Sequence, residues 1–196
     1  MEEIHLAQDK KKWRELKATL VFEDESGFSL VSPLKRTWSP CGQTPVVRTS
    51  LNHHQRLNLL GAVLVPYHRK KGLQLSIRSF TRTLTGVQVV AFLKQLLRVI
   101  QGEIVFVWDN HPIHQRKLVE EFLEKQPRLH VYWFPTCAPE LNPAEFIWTQ
   151  LKEHTASTAP HNLFELRPNV LSGVGKIRRS QSHIQSCLSA SNLSWK

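Results

Sequence analysis

Asp24, Asp109 and Glu145 are the residues whose type and placement point to chemistry. Asp24 stands just beyond the apolar run Ala18 to Phe22, and Asp109 directly follows Ile104 to Trp108. Both runs are short and nearly continuous, as expected of strands covered on both faces. In open α/β sheets ligands gather beyond the carboxyl ends of the strands. If the two strands pair in parallel, their acids lie about 5 Å apart, the spacing of neighbouring strands. Glu145 comes 36 positions after Asp109, within Asn142-Pro143-Ala144-Glu145. Clustered carboxylates repel, and divalent cations relieve the repulsion, so this pattern suits Mg²⁺, with Mn²⁺ as a substitute.

Each residue also has a plainer reading. Glu145 stands three residues after Asn142, a capping-box spacing. Glu23 and Glu25 read as ordinary strand-end acids, and Asn110 and His114 as residues that cap and start the next helix. Trp38 and Trp148 read as packing residues rather than base-stacking ones. His53-His54 and the pair His111/His114 lack a third zinc ligand at sensible spacing. Cys41, Cys137 and Cys187 are odd in number and widely spaced, which disfavours a disulfide framework.

The elements that must carry the acids follow from the apolar pattern. Ala18 to Phe22 predicts a strand ending in Glu23-Asp24-Glu25, and one further strand is expected within Ser29 to Trp38. Arg56 to Val65 and Leu73 to Arg78 predict two more, giving an antiparallel meander. Val89, Val90, Leu93, Leu96, Leu97 and Ile100 recur at helical spacing, with Gly102 placed as a cap. Then come the strand Ile104 to Trp108, a helix from about Gln115 to Lys125, the strand Leu129 to Phe134, and a helix opened by Asn142-Pro143. A short helix is expected before Leu16, and weaker helical patterns lie near Leu163 to Leu171 and Ile184 to Leu188. The order β-β-β-α-β-α-β-α implies an α/β sheet whose later strands pair in parallel through right-handed crossovers.

The 196 residues include 26 Lys and Arg against 16 Asp and Glu, a net charge of +10 and a pI near 9.9. Such a surplus suits a polyanionic partner, nucleic acid or a membrane surface. The longest apolar runs, Leu59 to Val65 and Ile104 to Trp108, are far too short to span a bilayer. The N-terminus carries no apolar signal region, so a cytoplasmic, reducing location is expected. With 41% hydrophobic and 21% charged residues, disordered and fibrous classes are disfavoured.

Three blocks carry a family resemblance: Phe22-Glu23-Asp24-Glu25-Ser26, Asp109-Asn110 with His114, and Pro139-Glu140-Leu141-Asn142-Pro143-Ala144-Glu145 with Trp148 and Leu151-Lys152. Together they resemble the DDE endonuclease domain of bacterial insertion-sequence transposases of the mariner-related superfamily. Trp38-Ser39-Pro40 with Gly42-Gln43-Thr44-Pro45 is similar to that family's segment after its first Asp. The resemblance runs from about Leu20 to Lys152. It implies a ribonuclease H-like fold, with a mixed five-stranded sheet of three antiparallel then parallel strands flanked by helices. It also implies that Asp24, rather than its glutamate neighbours, is the first ligand, and that Asn110, His114 and Asn142 support the site.

The activity then expected is that of a transposase catalytic domain. Asp24, Asp109 and Glu145 would hold two Mg²⁺ ions for phosphodiester cleavage at element ends and for strand transfer, the latter step and a TA target preference being implied by the resemblance alone. A hydrolysis-only nuclease and a decayed, DNA-binding module without turnover are the alternatives. Residues 1–17 are expected as a basic extension, 18–155 as the catalytic domain and 156–196 as a helical tail. Expected partners are DNA, a second copy on paired ends and an upstream helix-turn-helix product, in the bacterial nucleoid and without a membrane.

Overall fold

The computed structural model describes residues 2–3, 13–30, 38–44, 55–68 and 72–193. Strands β1 (Glu2–Glu3), β2 (Thr19–Ser29), β3 (Arg56–Val65), β4 (Gln74–Phe80), β5 (Ile104–Trp108) and β6 (Leu129–Trp133) form one sheet in the order β1-β6-β5-β2-β3-β4. The meander β2-β3-β4 is antiparallel, and β5 and β6 run parallel to β2. This is the expected five-stranded mixed sheet. β1 adds two residues in parallel pairing on the outer edge of β6, where a pair of glutamates carries no strand signal.

Among the described residues five helices cover the sheet: α1 (Gly86–Val99), α2 (Lys117–Glu124), α3 (Pro143–Thr158), α4 (Leu163–Arg179) and α5 (Gln181–Ala190). A helical turn at 13–16 precedes β2. Thr85 and Gln88 close a capping box at the start of α1. At its far end the Arg128 guanidinium donates to the carbonyls of Leu97, Ile100 and Gly102, satisfying groups that the helix leaves open. Gly102, at a φ of 79°, turns the chain back toward β5.

Alternation along β2 divides the core in two. Phe22 and Phe28 point to the face covered by α3, α4 and α5, where they meet Trp148, Leu151, Val170 and Ile184. Val21 points to the other face, against Phe92 and Leu96 of α1 with Phe106 and Trp108 of β5. The helices beyond residue 155 therefore share the first core with the sheet.

One expectation about β2 needs correction. The strand does not end at the acids but runs on to Ser29. β3 is ten residues long and lies beside it through Ser29↔Arg56, so the backbone of residues 23–29 keeps its ladder. The parallel partner stops sooner: pairing with β5 ends at Phe22↔Val107. Asp24 thus projects from a strand that outlasts its neighbour. Of the strand expected within Ser29 to Trp38, residues 31–37 lie outside the described residues, as do His53-His54. Trp38 is fully exposed, so the packing role expected of it is not seen. It begins the turn Trp38-Ser39-Pro40-Cys41-Gly42, away from both cores.

Candidate active site

The site grows from the step at the end of the β2–β5 pairing. Two residues past Phe22↔Val107, Asp24 and Asp109 come level at the carboxyl end of the parallel pair. Oxygens of Asp24, Glu25 and Asp109 lie within 4.8 Å of one another. Asp24 is 8% exposed, whereas Asp109 and Glu25 are half-buried.

Glu145 arrives from the opposite direction, in the first turn of α3. Asn142 caps that helix by accepting from the Ala144 amide at 3.1 Å, and its Nδ2 donates to the Glu23 carbonyl at 3.0 Å. One side chain therefore starts the helix and fastens its start to β2. The Asn142 amide donates to Pro139 O, so the reciprocal half of a capping box is not needed from Glu145. Its carboxylate borders the cleft instead, together with Asp24, Asp109, Asn110, His111 and Asn142. Among the described residues Glu145 stands outside the tight oxygen group, facing it from the helix.

Further along α3, Trp148 Nε1 donates to Asp24 Oδ2 at 2.9 Å. The indole is fully buried and reaches the sheet only because residue 61, paired with Asp24, is glycine. A Cβ there would stand 2.4 Å from the indole Cη2.

Behind Asp109 lies His114, completely buried. Its ring stacks on Trp108 with centroids 4.2 Å apart and planes 7° from parallel. Nδ1 is 3.1 Å from the Asp109 carbonyl and 3.3 Å from Oδ1, and the other ring nitrogen faces Glu23 and Glu25. Oδ1 of Asp109 also accepts from the His111 amide at 3.0 Å.

These surroundings divide the acids electrostatically. Burial, then the carboxylates of Glu145, Glu25 and Asp109, push Asp24 up to about 8, against the lowering effect of the Trp148 hydrogen bond. Burial would raise Asp109 as well, but the hydrogen bond and charge of His114, and then His111, bring it below the usual carboxylate range. Glu23 is raised well above that range by burial, then by Glu25, Asp24 and Asp109. Glu25 is raised by burial, against the opposing charge of His114. A set of hard oxygen donors whose repulsion raises its own pKa values is one that a divalent cation stabilises.

Of the residues singled out in the sequence, Asp24, Asp109, Asn110, Asn142 and Glu145 line one cleft, and His114 sits beneath it. Asn110 accepts from the Gln115 side chain at its exposed edge. Sequence reasoning missed the burial of Glu23 and Glu25 and the grip of Trp148 on Asp24. Counting by twos from Val21 would have put both glutamates on the α1 face. No local signal announces the Trp148 contact, which joins residues 124 positions apart.

A mixed sheet of this order, flanked by helices, is a ribonuclease H-like fold. A family model of the DDE superfamily endonucleases matches residues 19–166, and the chain belongs to that family. No curated protein matches it. The catalytic domain of Mos1 mariner transposase is similar in fold, at 15% identity and a TM-score of 0.51, over 97% of this chain and 90% of that one. The Mos1 mariner paired-end complex with Mn is similar at 16% identity and a TM-score of 0.57, and the Mos1 strand transfer complex at 17% and 0.54. Each match to a complex covers 97% of this chain, which spans about 60% of the Mos1 chain there. Among the described residues no helix is long and apolar enough to cross a membrane.

Proposed function

We propose that this chain is the catalytic part of a DNA transposase that cleaves phosphodiesters at element ends and joins the freed ends to target DNA. The observation that carries this reading is the meeting of Asp24, Asp109 and Glu145, from three separate elements, on one cleft in a domain of the DDE endonuclease family. Asp24, Asp109 and Glu145 would hold Mg²⁺ or Mn²⁺, two ions in the full site. Bound there, such ions supply Lewis acidity, generate hydroxide from water and stabilise a leaving 3′-oxygen.

The chain's own residues set the stage for that chemistry. Trp148 donates to Oδ2 of Asp24 and the Glu25 amide donates to Oδ1 at 3.0 Å, so the carboxylate is held by both oxygens at the cleft wall. Asn142 holds the first turn of α3 on β2, so Glu145 faces the same space. Phosphate positioning falls to basic side chains bordering the acids. The cleft continues past Gly27 to Arg56, whose guanidinium lies over the bare glycine backbone. Among the described residues Arg56 is in no ion pair, so it offers its bidentate fork to a DNA phosphate. The other parts of the reading are a second copy on paired ends, sequence readout by a helix-turn-helix module rather than this domain, and work in the bacterial nucleoid.

The deciding experiment places the purified protein, Mg²⁺ and an element-end DNA with a supercoiled plasmid. Nicking with joined products is the expected result. Nicking alone would leave a hydrolytic nuclease, and binding without nicking a module that has lost turnover.

A further inference from the structure

Glu23 lies on the reverse of the strand that carries Asp24, only 1% exposed, yet neither of its carboxylate oxygens has a hydrogen bond. A buried charge or proton without a partner is strongly disfavoured, so what faces it is informative. Facing it is the ring of His114, itself fully buried, whose Nε2 also lacks a hydrogen bond. Nε2 is 3.4 Å from Glu23 Oε2 and 3.7 Å from Glu25 Oε1. The unsatisfied atoms of the two side chains thus look at one another across a short gap.

The far side of the ring settles where its hydrogen must be. Nδ1 faces the Asp109 carbonyl at 3.1 Å and Asp109 Oδ1 at 3.3 Å, and both are acceptors. Only a protonated Nδ1 satisfies that geometry. Nε2 is then left to Glu23, either as an N–H donating to a carboxylate or as a lone pair receiving the acid's O–H. Trp108, stacked nearly parallel on the imidazole, holds the ring in the plane that contains both sets of partners.

We infer that Glu23 and His114 are a positioning pair for Asp109: Glu23 anchors the imidazole at Nε2, and the ring presents Nδ1–H to the Asp109 carboxylate from beneath the cleft. Asp109 is then held from two sides, by the ring below and by the His111 amide at its edge. Glu25 is the lesser contributor, since it is farther from Nε2 and shares the approach with His111. The inference rests on the reading of Asp109 as a metal ligand. Hydrogen-bonding partners behind metal ligands fix their orientation, and losing one costs roughly 10–100-fold in metal affinity or activity.

Glu23→Gln keeps the shape of the side chain and replaces the carboxylate with an amide. The measurements are Mn²⁺ affinity by calorimetry without DNA, plasmid nicking, thermal melting, and DNA affinity in EDTA. The expected result is Mn²⁺ binding about 10-fold weaker, with nicking lost in scarce Mn²⁺ and recovered in excess. Melting should not fall below the wild-type value and metal-free DNA affinity should stay at it, which a fold-only role for Glu23 would not produce. Wild-type Mn²⁺ affinity in folded Glu23→Gln overturns the inference and leaves the three-carboxylate reading standing. Wild-type protein that binds no Mn²⁺ takes both down. If Glu23→Gln does not fold, the wild-type protein decides by NMR on ¹⁵N-labelled histidine. A hydrogen on His114 Nδ1, protected from exchange, supports the pair, and a bare Nδ1 overturns it.

Discussion

On one face of β2 the Asp24 carboxyl meets a cleft, an indole N–H and acids from two other elements. One residue away, on the other face, Glu23 meets an imidazole in a closed core. Glu23 and Asp24 are thus sorted by the two-residue period of the strand rather than by any difference in their own chemistry, while Glu25 reaches both groups. Asp24 is raised by its neighbours while open to a ligand, and Glu23 is raised by burial while shut away. Access, more than acidity, separates the two roles.

The largest test of that contrast is loss of metal-dependent cleavage. Asp109→Asn and Asp24→Asn should reduce plasmid nicking in Mg²⁺ to the level without metal, and Glu145→Gln should follow, while fold and DNA affinity persist. A Glu23→Gln variant as inactive as Asp24→Asn at saturating metal would erase the distinction between the faces. Wild-type cleavage by Asp109→Asn would remove the site altogether.

A smaller effect should appear in stability, with the opposite sign. Asn at position 24 can still accept from Trp148 but carries no charge toward Glu145, Glu25 and Asp109. Metal-free Asp24→Asn should therefore be more stable than wild type by about 1 kcal/mol, or roughly 2–4 °C in melting temperature for a domain of this size. Calorimetry in EDTA checks it, and a lower melting temperature would show that repulsion at Asp24 is already relieved.

The same repulsion sets a pH dependence. The carboxyl of Asp24 titrates near 3.8 in an unfolded chain and at about 8 in the folded one. The folded state holds the proton more tightly, so this contribution is complete below pH 4 and is lost as pH rises through 8. Glu23 and Glu25 are raised too and act in the same direction. Melting temperature in EDTA should fall between pH 5 and pH 8, and millimolar Mg²⁺ should flatten the slope by binding only the folded state. A rise over that interval would contradict the electrostatics of the cleft.

The smallest effect belongs to the rim. Arg56→Ala should weaken DNA binding a few-fold and lower the slope of log affinity against log salt by about 1, as expected for one lost phosphate contact. Melting should not change. An unaltered salt slope would place the DNA path elsewhere.

Much of this arrangement is legible in the chain itself because it is local. The apolar run Ile104 to Trp108 before Asp109, and Asn142-Pro143 before Glu145, mark a strand end and a helix start by short-range rules. What stayed hidden depends on partners distant in sequence. The length of β2 is set by β3 rather than by its own residues, so the acids read as a strand end when they lie in its interior. The capping-box alternative for Glu145 could be resolved only when Pro139 was seen to take the Asn142 amide. Likewise the burial of His114 under Trp108 joins a loop to a strand by stacking, for which no spacing rule exists.

The close seat of the Trp148 indole over Gly61 has a consequence for how related sequences can diverge. Positions 24, 61 and 148 lie on three elements but share one space: the aromatic needs the missing Cβ, and the acid needs the aromatic's N–H. A side chain acquired at 61 would push the indole outward, and a smaller residue at 148 would leave Asp24 with the Glu25 amide but without its side-chain donor. The three positions should therefore drift as a unit, with relatives that carry Ala or Ser at 61 lacking Trp at 148 and finding another donor for the first acid.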